Sequence, residues 1–158
     1  MASAIIVDLD GTLTSCEHRR HFVTNGNKNW RDFNYNIPFD APVPWVRRIV
    51  VDAMWSDVTV LFTSGRGEQS RYDTEQWLYE QVISPELLAF RKPWKLLMRG
   101  RNDYRSDDVV KREIYDNHIE PFYDVQFVVD DRWSVIQMWE SLGLFVIRAT
   151  DPGLEPLS

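Results

Sequence analysis

The sequence holds one cysteine, Cys16, among 158 residues. A lone thiol excludes a disulfide framework and argues against a cysteine-built zinc site. Basic residues are in deficit. The net charge is -6 and the pI near 5, so the chain does not coat nucleic acid by bulk electrostatics. Any contact with nucleic acid has to run through a local patch. Long apolar runs are missing too. Asp8 interrupts the first of them, no basic region precedes it, and no stretch of roughly 18 apolar residues follows. A soluble chain with no leader and no membrane span is expected. No Gly-Lys pair occurs, which removes the phosphate-cradling loop G-x-x-x-x-G-K-[ST]. In "GRGEQS" Ser70 replaces the third glycine of a dinucleotide fingerprint, and Phe62 stands where a serine-hydrolase elbow around Ser64 needs glycine.

What is present is apolar enough to fold. Apolar residues make up 44% and aromatics 13%, which fits one compact domain over 1–158. Buried-strand patterns and helical patterns alternate. Strands are expected at 4–7, 58–65, 94–99, 125–131 and 144–149; helices at 45–55, 72–83, 106–119 and 132–143. Residues 14–44 read as irregular, polar and aromatic, ending in Pro38, Pro42 and Pro44. Alternation of this kind predicts an α/β fold: a three-layer sandwich around a mostly parallel, Rossmann-like sheet. Ligands in such sheets sit at the carboxyl ends of the strands. Asp8, Asp10, Ser64, Asp130 and Asp131 all fall at that rim.

The opening strand ends in "DLDGT". Asp8 and Asp10 are two apart, so in extended backbone their side chains share a face. Asp130 and Asp131 bring carboxylates from another strand. Like charges this close repel unless a cation lies between them. A hard divalent cation fits oxygen ligands, and magnesium is the expected cofactor. A helix-loop-helix calcium site does not fit, because glycine stands fourth counting from Asp8 where that loop needs it sixth. A carboxylate beside magnesium serves as a ligand only, or also attacks phosphorus to form an aspartyl phosphate. The second route needs an acid for the leaving oxygen and donors for the phosphate oxygens. Thr12, Ser64, Lys111 and the backbone amides after Gly11 and Gly65 are the available donors.

"DLDGT", a strand ending in "TSGR", the helical Lys111 and a strand ending in "VVDDR" resemble, in order and spacing, the four motifs of the haloacid dehalogenase (HAD) superfamily. The resemblance implies a HAD-like fold with a small cap insert at about 14–44. It implies Asp8 as nucleophile, Asp10 as general acid and base, and Ser64 and Lys111 as holders of the transferring phosphoryl group. Asp130 and Asp131 would complete the magnesium site with Asp8 and the carbonyl of Asp10. A closer likeness joins "YRSDDVVKREIYDNHI" and "VVDDRWSVIQMWESLGL" to the 3′-phosphatase domain of phage polynucleotide kinase–phosphatases. That likeness implies Arg19 and Arg66 as phosphate-binding arginines and Asp107 as the acid that orients Lys111. It also implies a 3′-phosphorylated DNA or RNA end as substrate. With no kinase loop, a stand-alone phosphatase is expected. It would be cytoplasmic, in the host cytoplasm if phage-encoded, and its oligomeric state stays open.

Alternatives remain. The same chemistry could serve a nucleoside monophosphate or another small ester. A phosphotransferase to an alcohol, or a non-catalytic binding module, would keep the fold. In the cap, Arg19 and Arg20 are candidates for phosphates, and Trp30, Phe33 and Tyr35 are candidates for stacking on a base. Packing into a small cap core is the competing expectation for each aromatic. His18 and His21 are expected to pack at the surface or in the cap, with metal ligation or proton shuttling as the alternative. Lys95, Arg99, Arg101 and Arg105 form either a backbone-tracking patch or plain solvated charge.

Overall fold

The computed structural model describes residues 1–24, 26 and 28–150. The chain opens with β1 (Ala2–Asp8). A segment of short pieces follows: β2 (Thr14–Ser15), α1 (Glu17–Arg20), α2 (Trp30–Tyr35) and β3 (Ala41–Pro42). Then come α3 (Pro44–Trp55), β4 (Thr59–Gly67), α4 (Arg71–Gln81), α5 (Pro85–Ala89) and β5 (Trp94–Arg99). The last elements are α6 (Asp107–Ile114), β6 (Tyr123–Asp130), α7 (Trp133–Ser141) and β7 (Val146–Arg148).

The main sheet has the order β5-β4-β1-β6-β7, and every pair in it is parallel. β1 is central, so both of its faces are covered and its apolar run is continuous. Ile5 and Val7 face one core with Val46, Val50 and Met54 of α3 and Trp77 and Leu78 of α4. Ala4 and Ile6 face the other core with Val110 and Ile114 of α6 and Val135 and Trp139 of α7. This is the three-layer α/β sandwich expected of the sequence. The chain leaves β1 toward β4 and β5, then returns to build β6 and β7 on the other side. The carboxyl end of β1 is therefore the switch point where ligands bind in such sheets.

The structure departs from expectation where local pattern is weak. The stretch after β1, irregular by its sequence, contains two short helices and an antiparallel ribbon pairing Thr14 with Pro42 and Ser15 with Ala41. Its own core is Cys16, Val23 and Phe33. Helix α6 gives way after Ile114 to a π turn at Tyr115–Ile119. Ser106 occupies its N-cap position without a side-chain cap bond. Helix α5 is five residues long, too short for periodicity to register. No helix among the described residues is long and apolar enough to cross a membrane.

Candidate active site

β1 stops at Asp8, and the chain turns at once. Thr12 and Thr14 donate backbone N–H groups to Leu9 O at 3.0 Å. Leu9 is buried in the core. Gly11 has φ +80, and a Cβ there would run into the Asp131 carboxylate. The turn thus needs glycine for its backbone and for its close approach. It also sends the two aspartates to different partners, where extended backbone would have kept them on one face.

Asp8 belongs to an acidic cluster. One carboxylate oxygen each from Asp8, Asp130 and Asp131 lies within 4.8 Å of the others, and all three residues are buried. Lys111 Nζ donates to Asp8 Oδ1 at 2.7 Å and to Asp130 Oδ2 at 3.0 Å. Thr12 Oγ1 lies 2.9 Å from Asp8 Oδ2 and 3.3 Å from Asp131 Oδ1. Asp130 is the most committed of the three. Its Oδ2 also accepts from Trp139 Nε1 at 3.2 Å, and its Oδ1 accepts from the amides of Asp131 and Arg132. Burial pushes the Asp8 carboxyl up, and Asp130 adds to it against the pull of Lys111. Burial and Asp130 push Asp131 up to about 6. Burial alone would lower the Lys111 ammonium, but Asp130 and Asp8 outweigh it and raise its pKa. A single lysine among these carboxylates leaves a surplus of negative charge, which is the electrostatic setting for a divalent cation.

Asp10 sits in a second constellation. Arg66 grips it with both branches, Nε to Oδ2 at 3.1 Å and Nη2 to Oδ1 at 2.6 Å. Arg19 Nη2 donates to Oδ1 at 2.5 Å. Burial would raise the Asp10 carboxyl, but Arg66 and Arg19 together hold it well below the carboxylate range. Behind these arginines stands Asp40, whose importance the sequence did not announce. It accepts from Arg19 Nε and Nη2, each at 2.7 Å, and from Arg66 Nη2 at 3.3 Å. His18 Nε2 lies 2.7 Å from Asp40 Oδ1. Trp77 Nε1 donates to its backbone carbonyl at 2.9 Å. Two guanidiniums and two carboxylates therefore close a nearly neutral quartet, buried except at Asp10, whose side chain is 19% exposed. Arg19 is fully buried and also donates to Phe33 O. Four hydrogen bonds tie it to Asp40, Asp10 and the Phe33 carbonyl, so its contact with the site runs through Asp10.

Asp107 is likewise placed differently from expectation. Arg99 Nη2 and Arg132 Nη1 hold its two carboxylate oxygens, and Lys111 donates its hydrogen bonds to Asp8 and Asp130 instead. Asp107 influences the lysine only through its charge. A Cβ on Gly65 would collide with the Asp107 carboxylate, so glycine is what lets β4 and α6 approach here. Ser64 Oγ accepts from the Arg66 amide at 3.0 Å. The basic stretch largely dissolves into structural roles. Arg99 binds Gly65 O and the carbonyls of Asp103 and Arg105. Arg105 pairs with Asp103 and Glu113, and Lys95 lies over the Tyr123 ring. Cys16 is buried, with its thiol pushed up to about 12 mainly by burial, which makes it inert.

A cavity of about 760 Å³ opens over this floor. Asp8, Asp10, Gly65, Arg66, Asp107, Lys111, Asp130 and Asp131 all line it. Thr12, Ser64 and Arg19 stand behind and act through the contacts above. Of the three candidate stacking aromatics, Phe33 lines the cavity but is buried in the segment's own core, and Trp30 is exposed at the cavity. Tyr35 is exposed and does not line it.

Comparison with known proteins agrees with this arrangement. The family profile described as "Polynucleotide kinase PNKP phosphatase domain" matches residues 2–152. A protein of Autographa californica nuclear polyhedrosis virus, which carries the name bifunctional polynucleotide kinase/RNA ligase, is 29% identical over 140 residues. The match covers 88% of this chain and 18% of the viral protein. A chain in the structure of the Pnkp1/Rnl/Hen1 RNA repair complex superposes with a TM-score of 0.74 at 28% identity. The superposition covers 98% of this chain and 44% of that one. This chain thus spans less than half the length of either relative. The Class C acid phosphatase of Bacillus anthracis, at 17% identity and TM-score 0.66, shares the fold over 98% of this chain and 68% of its own. With the match running almost end to end, the chain belongs to the family of PNKP phosphatase domains, within the HAD-type phosphatases.

Proposed function

We propose that the chain is a magnesium-dependent polynucleotide 3′-phosphatase working through an aspartyl phosphate on Asp8, with residues 14–44 as its cap. The observation that carries this reading is the placement of Asp8. It is buried at the end of the central strand, beside Lys111 and two further carboxylates, while Asp10 is held apart by two arginines. The names of the relatives favour a polynucleotide end over a small ester.

Asp8 and Asp131, with the Asp10 carbonyl, would hold the metal; Asp130 has its oxygens spent on Lys111, Trp139 and backbone amides, and would orient its neighbours. The cation would supply positive charge against the phosphoryl oxygens. In the first step an Asp8 oxygen attacks phosphorus, the bond from phosphorus to the 3′ oxygen breaks, and that oxygen takes a proton from Asp10. In the second, water attacks phosphorus, Asp10 takes the water's proton, and the bond to Asp8 breaks to release phosphate. Lys111 neutralises Asp8 and the phosphoryl group as they meet. Between turnovers Asp10 is a carboxylate held by the arginine pair, having passed the water's proton on to solvent. To act as acid it first takes up a proton, from solvent or from the phosphate monoanion of the substrate, as the arriving phosphate, a competing anion, loosens the arginine contacts.

The test is phosphate release with magnesium from a 3′-phosphorylated oligonucleotide, its 5′-phosphorylated twin, and 3′- and 5′-mononucleotides. Strong preference for the first is expected. Equal or faster turnover of mononucleotides would keep the chemistry and discard the polynucleotide assignment.

The cluster also has a stability signature. Asp131 titrates at about 6 in the fold and near 3.9 when unfolded. The metal-free native state then binds more protons than the unfolded state between those values. Asp131 therefore contributes a loss of stability as pH rises from about 4 to about 6, and Asp8, whose carboxyl burial also pushes up, adds to that loss. Magnesium is expected to raise Tm at pH 7 and to do little at pH 4. A magnesium effect of equal size at both would contradict the cluster as its site.

A further inference from the structure

The cavity is much larger than a phosphoryl group requires. At about 760 Å³ it lies in the range of roughly 300–1,000 Å³ that encloses a whole drug-sized ligand. Asp8, Asp10, Asp130, Asp131 and Lys111 occupy its floor; Asp103, Asp107 and Asp108 also line it, the first two paired with arginines. The exposed aromatic side chains on its rim, and the basic ones unpaired among the described residues, come from two separate segments. Lys28 and Trp30 come from the segment between β2 and β3, and Arg101 and Tyr104 from the loop between β5 and α6. Trp30 is 47% exposed and Tyr104 89%. The segment's core is Cys16, Val23 and Phe33, and Trp30 meets it through an edge-to-face contact with Phe33, 5.4 Å between centroids. The Tyr104 hydroxyl makes a single long hydrogen bond, 3.4 Å to Asn102.

The charges on this rim differ from those around it. Arg99, Arg105 and Arg132 are all tied to carboxylates. Arg101 enters no ion pair among the described residues, and Lys28 lies 5.9 Å from the centroid of the Trp30 ring. Two exposed aromatic faces with two cations, set above a phosphate-processing floor, match the requirements of single-stranded nucleic acid. Bases stack on aromatic faces regardless of sequence, and cations follow the backbone.

The geometry points to Trp30 and Tyr104 as the stacking surfaces for the bases next to a single-stranded 3′ end, with Lys28 and Arg101 on the adjoining phosphodiesters. This inference rests on the polynucleotide 3′-phosphatase reading and says which residues read the strand. It makes the enzyme one for single-stranded ends: a base held in a duplex has its faces already stacked.

The test compares wild type, Trp30→Ala, Tyr104→Ala and the conservative Trp30→Phe on two substrates, a 3′-phosphorylated single-stranded oligonucleotide and p-nitrophenyl phosphate. Each alanine variant is expected to lose about tenfold more in kcat/KM on the oligonucleotide than on the small ester. The loss should lie mainly in KM, and Trp30→Phe should recover most of it. Binding of a labelled oligonucleotide to Asp8→Asn protein, followed by fluorescence anisotropy, supplies a readout without turnover. Adding Lys28→Ala and Arg101→Ala should flatten its salt dependence by about 0.7 in log–log slope for each phosphate that is no longer neutralised. If wild type prefers the oligonucleotide and the variants lose equally on both substrates, or on neither, the rim assignment is overturned while the phosphatase reading stands. If wild type shows no preference for the oligonucleotide, the polynucleotide reading itself fails, and the rim assignment with it.

Discussion

Asp8→Asn is expected to reduce phosphate release by on the order of 10⁴-fold or more, and at neutral pH to raise the Tm of the metal-free protein. The two effects have one cause. In the proposed mechanism Asp8 is the carboxylate that attacks, and it is also one of three buried acids that share a single lysine. Burial and Asp130 oppose its ionisation. Asparagine removes the nucleophile and the charge while keeping an oxygen for Lys111 and a nitrogen that can face the Thr12 hydroxyl. Lys111 keeps Asp130 as a partner. The stabilisation should shrink as pH falls, because Asp8 in the wild type then protonates. Turnover near the wild-type rate would remove the nucleophile role. A lower Tm at neutral pH would remove the electrostatic one.

Asp40→Asn is expected to cost about 3–5 kcal/mol of folding stability and to lower kcat more than it raises KM. Asp40 holds Arg19 by both carboxylate oxygens and reaches Arg66 as well. Both arginines are buried, and removing one partner of a buried pair leaves an uncompensated charge. Asp10 would then be left to balance two guanidiniums and would follow them. The exposed Arg48–Asp52 pair is the control. Both side chains there are more than half in water, and Asp52→Asn should cost less than about 1 kcal/mol. Chemical denaturation measures both variants. A loss at Asp40 no larger than at Asp52 would mean that the quartet does not hold the site together.

Much of the fold is legible because the long elements carry strong periodicity. β1, β4, β6, α3 and α7 lie within a few residues of where alternation and helical spacing place them. The rim residues Asp8, Asp130 and Asp131 are legible for the same reason, since a buried run that ends in acid fixes where the acid must be. What stayed hidden depends on contacts far apart in sequence. Asp40 lies in "IPFDAPVP", which reads as a proline-rich connection. Its partners are 21 and 26 residues away. The one available signal was arithmetic: two site arginines imply more acid than Asp10 alone. Arg99 and Arg105 look like a basic patch because sequence displays charge and not pairing. The pieces between β2 and β3 are too short for any period to emerge, so the segment that presents Trp30 has no shape until folded. The separation of Asp8 from Asp10 was hidden by an assumption of continued strand, which the turn at Gly11 breaks.

The central claim is that the phosphoryl group passes through Asp8. The most direct measurement is rapid acid quench of the enzyme during turnover of a 3′-phosphorylated oligonucleotide, followed by borohydride reduction and peptide mapping. An acyl phosphate on an aspartate is reduced to homoserine, so the account predicts homoserine in place of Asp8 and nowhere else. Phosphate release with Asp8 unmodified throughout, or homoserine in place of Asp10, Asp130 or Asp131, would contradict it.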